Sequence, residues 1–158
     1  MTMTIFWKLK KFEVLSVKEL YEIMQLRAEV FVVEQNCPYQ DADGKDLKAH
    51  HLMGSNQDGL LVAYSRLLPQ HVSYEEVSIG RVVTSPKVRG TGAGKALLEQ
   101  SLLEIEKLFG NVPVRIGAQL YLEKFYESFD FITEGGQYLE DNIPHVIMLR
   151  KAAPENAE

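Results

Sequence analysis

The chain has 158 residues, a single cysteine and a formal net charge of −5 at pH 7. This length predicts one domain, and the acidic balance argues against a nucleic-acid partner, which requires clustered Lys and Arg. One cysteine excludes an internal disulfide and a cysteine-rich metal site, and it fits a reducing compartment.

Residues 1–151 are predicted to form the domain, and the small, polar, proline-containing segment 152–158 is predicted to be a flexible tail. The start of the chain lacks a basic segment followed by an apolar stretch. No apolar run approaches the roughly 20 residues of a membrane span. We therefore expect a cytoplasmic protein with no membrane partner.

The first third of the chain predicts a strand followed by a helix. Residues 5–12 have strand character, and Ser16 with Glu19 forms a capping box, so a helix is expected to begin there. Apolar residues at helical spacing continue that helix until Cys37 and Pro38, because proline has no N–H to donate. Residues 38–48 are predicted to form a polar, acidic loop.

The rest of the chain alternates strands and helices. Residues 51–54 and 60–68 predict a hairpin, residues 77–84 a third strand, and residues 94–108 an amphipathic helix. The remaining predicted elements are a strand at 112–117, a helix at 120–129 and closing strands at 129–133 and 146–150. This order predicts a mixed sheet with helices packed on it.

Arg81 interrupts the pattern of the third of these strands. Strict alternation would place its guanidinium on the same face as the apolar Val77, Ile79 and Val83. A bulge near Gly80 or Arg81 would shift the register and re-aim the side chain, as bulges do beside active sites. Alternatively, Arg81 lies at a sheet end and pairs with a carboxylate.

A glycine-rich turn precedes the amphipathic helix. Gly90, Gly92 and Gly94 remove side chains from a loop that enters a helix amino terminus, which favours a phosphate site; the alternative is a plain flexible turn. A Walker A loop is excluded because Ala96 replaces its hydroxyl residue and Arg89 its first glycine. The dinucleotide fingerprint also fails, so a nucleotide-binding switch is disfavoured.

The hexapeptide RGTGAG at residues 89–94 matches Arg/Gln-x-x-Gly-x-Gly/Ala and resembles the pyrophosphate loop of the GNAT superfamily of N-acetyltransferases. A second segment, QLYLEKFYESFDF at residues 119–131, is similar to the pattern that follows the fifth strand of that superfamily. Phe125, Tyr126 and Phe131 stand at the matching offsets. The usual Asn, Ala and Gly of that pattern are replaced here by Gln119, Leu122 and Asp130.

Two further segments narrow the resemblance. LRAEVFVVEQNCPYQD at residues 26–41 and DNIPH at residues 141–145 resemble the ElaA-like subgroup. The resemblance implies an α/β domain of the acyl-CoA N-acyltransferase fold, in which helices flank a mixed, mostly antiparallel sheet with a central parallel strand pair. Members of the superfamily often dimerise, so a homodimer is an open expectation.

The resemblance also implies acetyl transfer from acetyl-CoA to a primary amine of a small molecule or peptide, by direct attack in a ternary complex and without a metal. The alternative is a non-catalytic acyl-CoA-binding regulatory module. The implied cofactor-binding residues are Val82, Val83, Thr84, Arg89, Gly90, Thr91, Gly92, Ala93, Gly94, Lys95, Gln119 and Tyr126.

Tyr126 is implied as the acid that protonates the departing thiolate, and its ordinary pKa near 10 keeps it protonated at neutral pH. The alternative for this tyrosine is a packing role with its hydroxyl in water. Glu76 is taken as the base because it lies on the strand where some relatives carry one. Glu34, His51 and His145 remain open as bases by residue type.

An acidic entrance is expected to attract a cationic amine, although charge runs usually form solvated loops. Its members are Asp41, Asp43, Asp46, Glu140 and Asp141.

Overall fold

Two antiparallel sheets and three α-helices organise the computed structural model, which describes residues 3–155. The strands are β1 (Phe6–Lys11), β2 (His50–Ser55), β3 (Leu61–Leu68), β4 (Ser78–Thr84), β5 (Val114–Gln119), β6 (Ile132–Glu140) and β7 (Ile143–Arg150). The α-helices are α1 (Val17–Arg27), α2 (Ala93–Phe109) and α3 (Glu123–Glu127). One sheet has the order β1-β2-β3-β4 and the other β5-β7-β6.

The two sheets meet where β4 and β5 run side by side in the same direction. A parallel bridge joins Val77 to Val114, and the Arg115 amide donates to the Val77 carbonyl at 2.9 Å. In the described part of the chain this is the one bridge between the two strands, which separate beyond it. The predicted sheet, mostly antiparallel with a central parallel pair, is confirmed.

Helices cover both faces of this assembly, as the order of elements predicts. On one face, Ile23 and Leu26 of α1 pack against Tyr64 and Val83. On the other face, α2 and α3 pack on the apolar positions of β5 and β7; the members of this cluster include Leu98, Ile105, Ile116, Ala118, Tyr126, Phe131, Val146 and Met148. The gap between β4 and β5 therefore opens toward both helical layers.

The first predicted helix is present but changes character partway. Its capping box forms as expected: the Glu19 amide donates to the Ser16 hydroxyl, and the Ser16 amide donates to the Glu19 carboxylate. The α-helix ends at Arg27, and Ala28–Glu34 continues as a π-helix. Apolar spacing does not distinguish these two helix types, and π segments are frequent at functional sites.

The two closing strands are longer than predicted, because β6 and β7 form a hairpin from Ile132 to Arg150. The polar and glycine residues of β6 are largely exposed and show no strand alternation. The hairpin turn consists of Asp141 and Asn142, with φ of 51° and 64°, a conformation typical of a type I′ turn. The predicted helix at 120–129 is a 3₁₀ turn, Leu120–Leu122, followed by α3.

The start of the predicted tail is tied to the domain. The Asn111 side chain donates to the Ala153 carbonyl and accepts from the Ala153 amide, both at 2.8 Å. The last residues of that predicted segment, 156–158, lie outside the described residues. None of the helices in residues 3–155 has the length and apolar character required to span a membrane.

Candidate active site

A bulge in β4 re-aims Arg81. The register between β3 and β4 shifts around this position, and Arg81 has a φ of 50°. Val77, Ile79 and Val82 consequently pack on the α2 side, whereas Val83 packs on the α1 side. The predicted bulge is present, and the bulged residue also pairs with a carboxylate, with Arg81 Nε 2.8 Å from Asp41 Oδ1, although Arg81 lies within β4 and not at a sheet end.

The divergence of β4 from β5 produces a cleft of about 1030 Å³. Seven of the residues predicted to bind the cofactor line it: Val82, Val83, Thr84, Arg89, Gly94, Gln119 and Tyr126. The other five, Gly90, Thr91, Gly92, Ala93 and Lys95, belong to the same glycine-rich turn without lining the cleft. The structure thus gathers the predicted set around one opening.

The glycine-rich turn leaves the amino end of α2 without a side-chain cap. Gly90 and Gly92 have φ of 79° and 85°, and Gly92 is the N-cap. The Ala96 amide donates to the Gly92 carbonyl, which makes it the first amide bonded within the helix. The preceding amides have no intrahelical partner and lie at the positive end of the helix dipole. A diphosphate therefore fits this turn.

Two consecutive side chains of the segment after α1 reach across the cleft to the predicted cofactor residues. Glu34 accepts two hydrogen bonds from the Arg89 guanidinium, one of 2.6 Å, and these lower the pKa of Glu34. Gln35 and Gln119 exchange side-chain amide hydrogen bonds of 3.4 and 3.2 Å. The π segment is therefore the third wall of the cleft, beside β4 and β5.

Tyr126 lies in the cleft with its ring held by other aromatic side chains. Its centroid is 5.3 Å from that of Phe125 and 5.8 Å from that of Phe131, both in edge-on contact. The residue is 6% exposed, and burial raises the pKa of its hydroxyl. The packing of the alternative is therefore present, and the same side chain lines the cleft.

Glu76 is not among the residues that line the cleft. Its carboxylate accepts hydrogen bonds of 2.9 and 3.0 Å from Arg115, which lower the pKa of Glu76. A carboxylate held in this way is a poor proton acceptor. The structure therefore does not favour Glu76 as the base, because its side chain lies outside the cleft and both of its carboxylate oxygens accept hydrogen bonds from Arg115.

Three of the four aspartates of the predicted acidic entrance, Asp41, Asp43 and Asp46, are engaged in a charge network with arginines. Arg27, completely buried, binds Asp46 at 2.7 Å and Asp41 at 2.8 Å. Arg66 binds Asp46 and Asp43, and the bulged Arg81 binds Asp41 and Asp43. Three cations thus neutralise three anions, so Asp41, Asp43 and Asp46 do not form the unpaired acidic patch that was expected.

His51, another residue considered as a base, lies beside the same charge network. His51 is completely buried, with Nδ1 2.7 Å from the Tyr64 hydroxyl and Nε2 2.9 Å from the Asp46 carbonyl oxygen. Burial lowers the pKa of His51. Both ring nitrogens are therefore occupied inside the core, and this histidine is structural.

Sequence reasoning missed two tyrosines, Tyr74 and Tyr138, that approach Gly117 of β5, and Tyr74 also lines the cleft. A Cβ on Gly117 would lie 2.9 Å from the Tyr138 hydroxyl and 3.1 Å from the Tyr74 hydroxyl. Both hydroxyls therefore stand over the backbone of β5 at the point where the strand has no side chain. The available signal was Gly117 itself, since a glycine within a strand often marks a close approach.

Comparison with known proteins agrees with this geometry. The profile of the family described as "Acetyltransferase (GNAT) domain" matches residues 13–152. Protein ElaA of Escherichia coli K12 is 47% identical over 139 residues, which is 87% of this chain and 90% of that protein. A UPF0039 protein of Synechocystis is 40% identical over 152 residues, covering 96% of this chain and 99% of that protein.

Solved structures give the same result. An acyl-CoA N-acyltransferase from Pseudomonas aeruginosa is 46% identical and superposes with a TM-score of 0.88, covering 93% of this chain and 99% of that chain. The crystal structure of Escherichia coli ElaA is 44% identical with a TM-score of 0.86, covering 94% and 100% of the two chains.

Proposed function

The chain belongs to the GNAT acetyltransferase family, and from that premise we propose that it transfers an acetyl group from acetyl-CoA to a primary amine within a ternary complex. One observation carries the proposal. A single cleft extends from the uncapped amino end of α2 to the buried Tyr126. It would thus join an anion site to a proton donor.

The donor substrate would be bound mainly by backbone groups. The amides of the Gly90–Gly94 turn suit the diphosphate of coenzyme A, and Arg89 adds a positive charge at the same end. Beyond the bulge, the β4 edge that faces β5 is unpaired over the described residues, while its other edge pairs with β3. An extended amide chain such as pantetheine can bind along that free edge.

The reaction forms one bond and breaks another at the thioester carbon. The amine nitrogen attacks the carbonyl, the N–C bond forms and the C–S bond breaks, while backbone amides of the Val82, Val83 and Thr84 segment stabilise the developing oxyanion. Sulfur leaves as a thiolate and receives a proton from the donor side of the cleft. Tyr126, buried and protonated at neutral pH, is the residue proposed for that role.

A relative supports the choice of donor. The Pseudomonas aeruginosa structure, 46% identical to this chain, is described as an acyl-CoA N-acyltransferase. An acyl-CoA donor is therefore the class proposed here, with acetyl as its acyl group. A reducing, cytoplasmic location is proposed with it, because Cys37 is a buried free thiol.

The test begins with the protein as purified. Native mass spectrometry should detect coenzyme A bound to it, and free thiol should be released from acetyl-CoA in the presence of some member of a panel of primary amines. Binding without turnover across small-molecule and peptide amines would favour the regulatory module. Failure to bind coenzyme A would remove both functions.

A further inference from the structure

His145 lies on the side of β5 opposite to Tyr126. Along β5, Ile116 and Ala118 belong to the cluster that contains Tyr126, so the intervening Gly117 and the following Gln119 face the other layer. His145 pairs in register with Gln119 and lines the cleft. In direct attack on a thioester, the amine adds to one face of the carbonyl carbon, and the amine nitrogen and the departing sulfur are then separate substituents of a tetrahedral centre. The base that serves the nitrogen and the acid that serves the sulfur can therefore be different residues, and His145 and Tyr126 lie on different sides of β5.

The ring of His145 is held in one tautomer. Its Nδ1 lies 2.6 Å from the Ile143 carbonyl oxygen, and since a carbonyl only accepts, Nδ1 carries the hydrogen and donates it. Nε2 of the neutral ring is then the basic nitrogen. The side chain is 8% exposed, and its ring centroid is 5.7 Å from that of Tyr138. A buried, oriented imidazole is therefore presented to the cleft.

Glu140 supplies the matching negative charge. Its Oε2 lies 3.4 Å from Nε2 of His145, and its side chain is 58% exposed. Once Nε2 has taken a proton, the imidazolium faces this carboxylate directly. The other titratable groups in this region are Tyr138, whose ring packs against that of His145, and three residues that line the same cleft, Tyr74, Cys37 and Asp141.

The other residues considered as bases are occupied elsewhere. Glu76 is bound by Arg115, Glu34 by Arg89, and both ring nitrogens of His51 have partners in the core. Of the four candidates, His145 alone combines a position in the cleft with a basic nitrogen that no hydrogen-bond donor of the described chain occupies.

We propose that His145 is the general base that accepts the proton of the acceptor amine, with Glu140 as the residue that pairs with the resulting imidazolium. This inference depends on the proposed acetyl transfer. The nitrogen gives its proton to Nε2 as the N–C bond forms, and the thiolate is protonated on the other side of β5. Exchange of both protons with solvent then restores the resting state.

The test compares variants of the full chain with the amine found in the panel. His145→Gln should lower kcat/KM at pH 7 by roughly 100-fold or more and remove the acidic limb of its pH profile, while the Kd for coenzyme A stays unchanged. His50→Gln is the matched control, because His50 is half-buried, contacts Phe109 and lies outside the cleft. It should retain both the rate and the limb.

Glu140→Gln provides a second variant at an exposed position, where folding is not at risk. It should lower kcat/KM at pH 7 by less than His145→Gln does, because Nε2 stays available while the imidazolium formed in the reaction loses its partner charge. If wild-type protein turns over and both variants keep the wild-type profile, His145 is not the base and acetyl transfer still stands. If wild-type protein acetylates no amine, the proposed function fails and the base assignment fails with it.

Discussion

Tyr126 shows how burial restricts what a catalytic side chain can do. Burial raises the pKa of its hydroxyl above the ordinary value near 10, whereas a free thiol ionises near 8.5. Complete proton transfer from this phenol to a thiolate is therefore uphill by more than about 2 kcal/mol. Tyr126 therefore first donates a hydrogen bond to sulfur while negative charge develops there, and this hydrogen bond, rather than the later transfer of the proton, is the part that accelerates the reaction.

The consequence is a moderate loss of rate in Tyr126→Phe. A hydrogen bond to a charged group contributes about 1.5–3 kcal/mol, so kcat should fall roughly 10- to 150-fold, with an unchanged Kd for coenzyme A. Steady-state thiol release and calorimetric binding measure the two quantities. Tyr21→Phe is the control, because Tyr21 is 69% exposed on α1, and it should leave both unchanged. An equal rate for Tyr126→Phe would exclude Tyr126 from the chemistry.

Residue positions were predictable where the local sequence determines them. Tyr126 follows Phe125 at a fixed offset from β5, and the structure places it in the cleft. Glu76 could not be judged in this way, because its partner Arg115 is 39 residues away on another strand. The same holds for Asp41, Asp43 and Asp46, whose arginine partners come from α1, β3 and β4. Pairings of this kind depend on the tertiary fold.

At the scale of elements, two glycines of the glycine-rich turn differ in whether their backbone conformation requires glycine. Gly92 has a φ of 85°, where an L side chain costs about 1–2 kcal/mol. Gly94 has no such φ, and a Cβ there would meet nothing within 4 Å. The two glycines are therefore expected to respond differently to the same substitution, although both belong to the predicted cofactor site.

Gly92→Ala should lower the free energy of unfolding by about 1–2 kcal/mol and weaken coenzyme A binding, because relief of the strain displaces the amides that start α2. Gly94→Ala should stay as stable or gain up to about 1 kcal/mol, since alanine favours the helix, and should keep its affinity within a few-fold. Urea unfolding and calorimetry test both. Equal effects of the two substitutions would show that the conformation of Gly92 is unimportant.

The bulge of β4 could be predicted from the sequence pattern, whereas the π-helical geometry of the segment after α1 could not. The bulge was foreseeable, because an arginine in an apolar row of a strand calls for a register shift, and the shift occurs at Arg81. The π-helical geometry of Ala28–Glu34 was not, because its apolar positions also suit an α-helix. The hairpin of β6 and β7 was underestimated because exposed polar and glycine residues hide its alternation.

For the whole molecule, the charge network joins α1, the loop after it, β3 and the bulge of β4 through six side chains. Burial alone would raise the pKa of Asp43, but hydrogen bonds and charge from Arg66 outweigh it and lower the pKa to about 2. The pKa of Asp46 is lowered in the same manner, by Arg27 and Arg66 against its burial. The network therefore couples the stability of this face of the cleft to pH.

The sign of that coupling follows from the direction of the shifts. Because the folded pKa of Asp43 lies below its unfolded value near 4, its contribution is complete above pH 4 and is lost as the pH falls toward 2. Asp43→Asn should thus be about 1–3 kcal/mol less stable than wild type at pH 7, and the two proteins should converge near pH 2. Urea unfolding between pH 2 and pH 7 measures the difference.

Asp58→Asn, at an exposed hairpin position, is the control and should follow the wild-type curve throughout. A constant gap between Asp43→Asn and wild type across this range would mean that the Asp43 carboxylate stabilises the fold independently of its charge.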